Sequence, residues 1–333
     1  MKISIVGSGS YGTAFASILC AYPEHSVTLF SRSSSQVEQI NLSARNSQYL
    51  DNFPLSTRLR ATQEVEEIEK SDMVFLALPS SAIQPFVQQN KALLSTAGAI
   101  INLAKGFISA EKATVPEYLH AQLGSAMGIG SLKGPTFAAD MLHSPISAVS
   151  ISANNSSTLS ALKLVLARSN VKFDVISKME TLEFLSILKN VYAIAIGIVE
   201  AKFKSPNVRA ALFTDCAIEM QEVCSRCVDE NVNILKYAGL GDLLLTSLND
   251  QSRNRTLGLM IGKGFIDATA YDKAVVVEGL RSIEYIAAKL TEEQRSRAHI
   301  LDSLSKLIGG SLNTGAFIAT VLHRPDPESN LKL

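Results

Sequence analysis

A chain of 333 residues is long enough for two domains, each able to bury its own core. Apolar residues make up 47% and charged residues 19%, the balance of a compact folded protein rather than a disordered one. Lys plus Arg and Asp plus Glu stand at 31 each, so no bulk field favours nucleic acid or an anionic membrane. Any bound anion must be held by a local pocket.

No run approaches the roughly 20 apolar residues of a membrane span. The richest, 191–199, is short and carries Gly197 inside it. The chain opens directly on a strand-like MKISIVG, which leaves no room for a signal peptide, and a cytoplasmic location is expected. Cys224 and Cys227 form a C-x-x-C, but no second such pair and no nearby His pair completes a zinc site. The stretch also reads as helix, where positions three apart merely share a face, so structural thiols and no metal are expected. His25, His120, His143, His299 and His323 are scattered without ligand spacing, which gives an imidazole-based mechanism little support.

In chain order, apolar or β-branched runs occur at 3–6, 27–30, 73–78, 99–103, 148–151 and 171–175. Helical patterns lie among them at 13–21, 82–93 and 157–167. Strands alternating with helices predict a Rossmann-type, doubly wound, mostly parallel sheet over residues 1–178. Beyond Met179 the strand-like alternation nearly disappears. Helix-compatible stretches at 182–201, 208–230 and 282–290 predict an all-helical domain over 179–333. Gly309-Gly310 and the tail from Arg324 read as loop and frayed terminus.

Gly7-Ser8-Gly9-Ser10-Tyr11-Gly12 fits G-x-G-x-x-G in the context the motif needs, after the first strand and at the start of a helix. Gly7 permits the tight turn, Gly9 lets backbone approach a dinucleotide pyrophosphate, and Gly12 allows close helix–strand packing. Around Ser10 and Tyr11 the helix N-terminus supplies N–H donors. The bland alternative is a glycine-rich turn that binds nothing. The second strand ends in Ser31-Arg32-Ser33-Ser34-Ser35, with no acid before Glu38. NAD-specific sites usually place an acid there. Arg32 and the hydroxyls can accommodate a 2′-phosphate, so NADP is favoured over NAD, although Arg32 could instead stack on the adenine or face water.

Further along, Lys189 sits inside the apolar helical run SILKNVYAIAIGI. Burial of a lysine lowers its pKa toward neutrality, and such a group can exchange a proton with an alcohol or carbonyl oxygen. The alternative is a surface lysine snorkelling to water. Asp242, between Gly-Leu-Gly and an apolar turn, reads as a helix N-cap or as a functional carboxylate. Ser252, Arg253 and Asn254 offer a hydroxyl, a planar fork and an amide, a trio that suits a phosphate monoester or simply starts a helix. Lys105 follows an apolar strand at the carboxyl edge of the sheet, where open α/β folds place ligands, and can reach substrate or cofactor phosphate. Gly134-Pro135-Thr136-Phe137-Ala138 is expected to form a tight turn lining the same cleft.

Together these segments resemble the bacterial NAD(P)-dependent glycerol-3-phosphate dehydrogenases over most of the chain. The matching pieces are GSGSYGTA from Gly7, NLSARNSQYL from Asn41, AKGF from Ala104, GPTFA from Gly134 and LKNVYAIAIGI from Leu188. NVRAAL from Asn207, GLGDLLLT from Gly239, SRNRTLG from Ser252 and VVEG from Val276 follow in the same order. The resemblance implies hydride transfer between NAD(P)H and dihydroxyacetone phosphate, giving sn-glycerol 3-phosphate for phospholipid synthesis. It implies Lys189 as general acid/base and Asp242 as the carboxylate that orients it and bonds substrate hydroxyls. It further implies that Ser252, Arg253 and Asn254 hold the substrate phosphate, with Arg253 also touching the cofactor. Gly134 and Thr136 are expected at the substrate, Ala138, Val276 and Glu278 at the cofactor, and Lys105 at both. A homodimer is the family expectation.

Four departures bear on pocket shape and regulation. Lys133 stands where the family usually has Ser, Asp140 where it has Glu, and KFKSPN with Ser205-Pro206 replaces a glycine-rich approach to Asn207. The C-terminal helices also lack the family's usual Pro-containing segment. A β-hydroxyacid or 6-phosphogluconate-type dehydrogenase shares the two-domain plan, but the GLGDLLLT and SRN segments argue against it. A non-catalytic NADP sensor is opposed by the presence of every expected catalytic side chain.

Overall fold

A computed structural model describes residues 1–51, 53–167, 169–268 and 278–323, with Glu278 described in its backbone only. The chain divides into two compact units, Met1–Glu183 and Phe184–Leu333. The division falls within the helix Met179–Glu200, a few residues past the expected break at 178/179.

Among its described residues the first unit has ten strands: β1 (Lys2–Val6), β2 (Ser26–Phe30), β3 (Arg60–Thr62), β4 (Met73–Leu76), β5 (Ala99–Asn102), β6 (Phe107–Ile108), β7 (Ala113–Thr114), β8 (Gly128–Lys133), β9 (Ser147–Ala153) and β10 (Val171–Val175). Eight form one sheet in the order β10-β9-β8-β5-β4-β1-β2-β3, while β6 and β7 pair separately. Every pairing in the large sheet is parallel except β8 with β9. Alternate residues of the central strands feed two cores. Ile3, Ile5, Met73, Phe75 and Ile101 pack in one, and Val6, Val74, Leu76, Ile100 and Ile129 in the other. A strand buried on both sides loses polar alternation, which is why these segments read as unbroken apolar runs. The doubly wound sheet expected from the sequence is the architecture observed.

Two strands of that sheet have no apolar signature. β3 is three residues long and begins with an arginine. β8, GIGSLK, carries two glycines because its neighbours crowd it. A Cβ on Gly128 would lie 2.3 Å from Thr158 Oγ1, and one on Gly130 would lie 2.8 Å from Ile101 Cδ1. Close packing thus removed the side chains that would have announced the strand.

The second unit is helical among its described residues. Met179–Glu200 is a 22-residue helix of mean hydropathy 1.7, longer than the apolar run read from sequence and long enough to cross a membrane by length and composition. Its apolar window is wholly buried inside the protein, as in the core helix of a folded domain. Gly197 serves that packing. A Cβ there would meet Arg255 O at 2.3 Å, and one on Gly258 would meet Ile194 O at 2.2 Å. Backbones of this helix and of Arg253–Gly262 therefore touch through glycines, a contact any larger residue would force apart.

Ser205-Pro206 starts the helix Pro206–Cys227, with the Ser205 hydroxyl accepting from Val208 N and Pro206 in the first turn. Midway along it, buried Glu219 accepts from Ile300 N at 2.8 Å and Leu301 N at 2.9 Å, satisfying the start of the helix His299–Ile308. Cys224 and Cys227 lie near the end of the same helix, and burial pushes both thiols up. Protonated thiols are poor nucleophiles, in keeping with a structural role.

Candidate active site

β1 pairs with β2 on one side and β4 on the other, so the chain leaves its C-terminal end where the strand order reverses. Open α/β sheets bind ligands at this switch point. Gly7 sits here with φ +115°, and a Cβ on it would be 2.6 Å from Ala77 O. Its N–H donates to Phe30 O at 3.1 Å, which pins the turn to the end of β2. A Cβ on Gly12 would collide with Gly7 O at 2.0 Å, so the turn closes tightly on its own helix.

Gly9 differs from both. No atom lies within 4 Å of where its Cβ would be. It is the N-cap of the helix Ser10–Cys20, which has no side-chain cap and no acid in its first turn. An uncapped, positively polarised helix end beneath open space fits a dinucleotide pyrophosphate. Ser8 and Asn46 brace the turn: Ser8 Oγ donates to Ser31 Oγ at 2.7 Å, and Asn46 Nδ2 donates to Ser8 O at 2.9 Å.

At the end of β2 the hydroxyl-rich segment splits. Ser31 is buried and donates to Gln36 Oε1, and Ser33 caps the helix Ser34–Ser43. Arg32 is exposed, and its carbonyl accepts from Gln63 Nε2 at 3.1 Å. The hydroxyls nearest the strand are thus committed to the loop, and a 2′-phosphate would depend chiefly on Arg32.

At the C-terminal ends of β5 and β8 the structure brings together four of the expected residues. Lys105 Nζ donates to Gly134 O at 3.1 Å. Thr136 N donates to the same carbonyl at 2.8 Å, and Thr136 Oγ1 donates to Tyr11 Oη at 3.4 Å. Gly134 must be glycine, since a Cβ would meet Ala148 O at 2.5 Å. Ala138 opens the helix Ala138–His143 and packs on the core beside the Ser10–Cys20 helix. Lys105, Gly134, Thr136 and Tyr11 therefore form one polar group on the first unit.

In the second unit Lys189 is buried, 5% exposed, on the long helix. Its Nζ donates to Asp242 Oδ1 and to Thr246 Oγ1, each at 2.8 Å. Asp242 is 1% exposed and begins the helix Asp242–Leu248. Its N-cap is Gly241, after a π turn over Tyr237–Gly241, so the N-cap reading of Asp242 gives way to a carboxylate spent on Lys189. The paired carboxylate offsets the cost of burying the ammonium charge. Thr246 was not singled out from the sequence. The available signal is its position four residues after Asp242, which places both on one helix face.

Ser252 is the N-cap of Arg253–Gly262, its hydroxyl accepting from Arg255 N, and it is buried. Arg253 is exposed and pairs with no carboxylate among the described residues. Asn254 keeps a buried Oδ1 with no hydrogen-bond partner among them, an acceptor left available for a ligand donor. Arg255 carries no marker of its role in the sequence. It donates from Nε to Glu200 Oε2 and from Nη2 to Glu200 Oε1, both at 2.9 Å, and from Nη1 to Asp250. That fork anchors the helix whose first turn carries Arg253 and Asn254. Val276 lies outside the described residues, and Glu278 is seen only as the first residue of the helix Glu278–Lys289.

The arrangement can hold a dinucleotide at a glycine turn, an anion near exposed Arg253, and a proton at Lys189 Nζ. Comparison with known proteins agrees with that combination. Residues 2–159 match the family model for the N-terminus of NAD-dependent glycerol-3-phosphate dehydrogenase, and residues 178–319 match the model for its C-terminus. A glycerol-3-phosphate dehydrogenase [NAD(P)+] of Methanothermobacter thermautotrophicus is 34% identical over 88% of this chain and 89% of its own length. One of Myxococcus xanthus is 33% identical over 85% of each chain. The crystal structure of glycerol-3-phosphate dehydrogenase from Coxiella burnetii is 27% identical, with a TM-score of 0.82 covering 97% of this chain and 99% of that one. With both halves matched in order along nearly its whole length, the chain belongs to the NAD-dependent glycerol-3-phosphate dehydrogenase family.

Proposed function

We infer that the protein is an NAD(P)-dependent glycerol-3-phosphate dehydrogenase, an oxidoreductase acting on the CH–OH group of sn-glycerol 3-phosphate. The observation that carries this reading is the buried Lys189–Asp242–Thr246 cluster in a chain of this family. When bound, the nicotinamide cofactor supplies or accepts the hydride. In the reducing direction Lys189 Nζ delivers the proton to the carbonyl oxygen of dihydroxyacetone phosphate, and in the reverse direction it takes that proton back. Asp242 and Thr246 hold the amine in one orientation, so little reorganisation accompanies the transfer.

The remaining roles follow from chemistry at each position. Gly7, Gly9, Ser10, Tyr11 and Gly12 are assigned to the cofactor pyrophosphate, with Ala138, Val276, Glu278 and Arg253 as further cofactor contacts. Arg32 is assigned to the adenosine end and favours NADP over NAD. Lys105, Gly134, Thr136, Ser252, Arg253 and Asn254 are assigned to the substrate, with Lys105 also reaching the cofactor. The product feeds phospholipid synthesis. A cytoplasmic homodimer is the proposed working state, drawn from the family resemblance, and sedimentation at micromolar concentration checks the dimer.

The decisive assay follows NADPH oxidation with dihydroxyacetone phosphate, with Lys189→Ala as control. Turnover by the unsubstituted protein with a loss of about 10³-fold in the variant is expected. Equal rates in the two proteins would sink the lysine assignment. Turnover of β-hydroxyacids in preference to the triose phosphate would overturn the substrate.

A further inference from the structure

Lys133, which the sequence resemblance singles out as a departure, is a buried lysine at the end of β8. Its side chain and that of Glu183 are both 0% exposed, and Nζ lies 3.1 Å from Glu183 Oε1. The same Nζ donates to the carbonyls of Asn102 and Ala104. Glu183 Oε1 also accepts from Asn102 Nδ2 at 3.1 Å and from Ser131 Oγ. Asn102 itself closes the turn, its Oδ1 accepting from Ala104 N at 2.9 Å. A buried ion pair adds little net stability, because desolvation consumes most of the attraction, so its value lies more readily in fixing geometry.

The geometry fixed here is that of the segment presenting Lys105. Lys133, at the end of β8, reaches across to the carbonyls just before Lys105. Lys105 reaches back to Gly134 O, the carbonyl just after Lys133. Two lysines thus tie the ends of β5 and β8 together in opposite directions. Gly134 is pressed against the backbone of β9, which makes its carbonyl a rigid anchor. A serine at 133 would be too short to span from β8 to the 102–104 turn.

We propose that Lys133 is a positioning residue: its ties to the Asn102 and Ala104 carbonyls hold Lys105 in place and so set affinity for the phosphate-bearing ligand. The proposal rests on the assignment of Lys105 to substrate and cofactor. Removing Lys133 alone takes the lysine's positive charge from a buried carboxylate, so the variant is Lys133→Met with Glu183→Gln, compared with Lys105→Ala and the triple variant. KM for dihydroxyacetone phosphate, Kd for NADPH and kcat are measured for each folded protein.

About a tenfold rise in KM or Kd is expected in the double variant, with a much smaller change in kcat. Lys105→Ala should raise the same constant, and the triple variant should be no worse than Lys105→Ala. Wild-type constants in the double variant, or full additivity in the triple, overturn the positioning role. Wild-type constants in Lys105→Ala overturn the reading of Lys105 itself, and the proposal with it. If the Met/Gln pair does not fold, Lys133→Gln with Glu183→Gln carries the same expectation, since glutamine is too short to reach both carbonyls. Failure of both to fold assigns the pair to stability alone and ends the proposal.

Discussion

In the sheet unit the turn proposed for the cofactor pyrophosphate comes from one stretch, residues 7–12, and acts largely through backbone. In the helical unit Lys189 takes its partners from 53 and 57 residues away, and all three act through side chains. The first arrangement tolerates no added atom at Gly7 or Gly12, yet leaves Gly9 open. The second depends on the helices Met179–Glu200 and Asp242–Leu248 lying close enough for Lys189 to reach Asp242 and Thr246. A site made of backbone is broken by adding bulk, whereas a site made of side chains is broken by removing a charge.

The largest effect on that contrast should come from the charge. Asp242→Asn keeps the shape of the lysine cluster but takes away its carboxylate, and kcat should drop about 10²-fold or more with the fold intact. Unchanged kcat would reduce Asp242 to a packing residue. Bulk comes next. Gly12→Ala should destabilise the protein by about 2–3 kcal/mol, since its Cβ meets backbone. Gly9→Ala should melt like the parent but bind NADPH about tenfold less tightly, because the methyl enters the ligand's space and not the protein's. If the two variants melt alike, the division between a structural and a ligand-facing glycine fails.

Arg32→Ala tests the outer end of the cofactor. The ratio of kcat/KM for NADPH over NADH should fall about tenfold, the worth of one charge-assisted contact to a 2′-phosphate. A ratio that does not move assigns Arg32 to solvent or to adenine stacking.

The smallest effect is on alkaline stability. Burial pushes the Cys216 and Cys224 thiols well above their ordinary value of 9.0. The unfolded chain therefore releases these protons first. Stability is complete below about pH 9 and is lost as pH climbs from there toward the raised folded values. Cys224→Ala should flatten the decline of Tm with pH above about 9 by the share of one proton. An unaltered slope would show that the thiol does not titrate on unfolding.

Much of the first unit was legible because its rules are local. Unbroken apolar runs mark β1, β4 and β5, and three glycines at fixed spacing mark the turn, so neighbouring residues carry the whole signal. β8 escaped because its glycines answer to Thr158 and Ile101, which are distant in sequence. Arg255 escaped for a similar reason: nothing around it announces that Glu200 will be its partner. Val276 lies where sequence alone speaks.

By itself the sequence carried the alternating strands and helices of the first part, the helical texture of the second, the glycine turn after β1 and the family motifs that contain Lys189, Asp242 and Arg253, through motif order and short-range periodicity. Tertiary structure decided what those residues do to one another. It made Asp242 a partner of Lys189 rather than a helix cap, committed Ser31 to the loop while leaving Arg32 exposed, and buried Lys133 against Glu183. Each of those outcomes depends on distances between segments far apart in the chain, which no local pattern encodes.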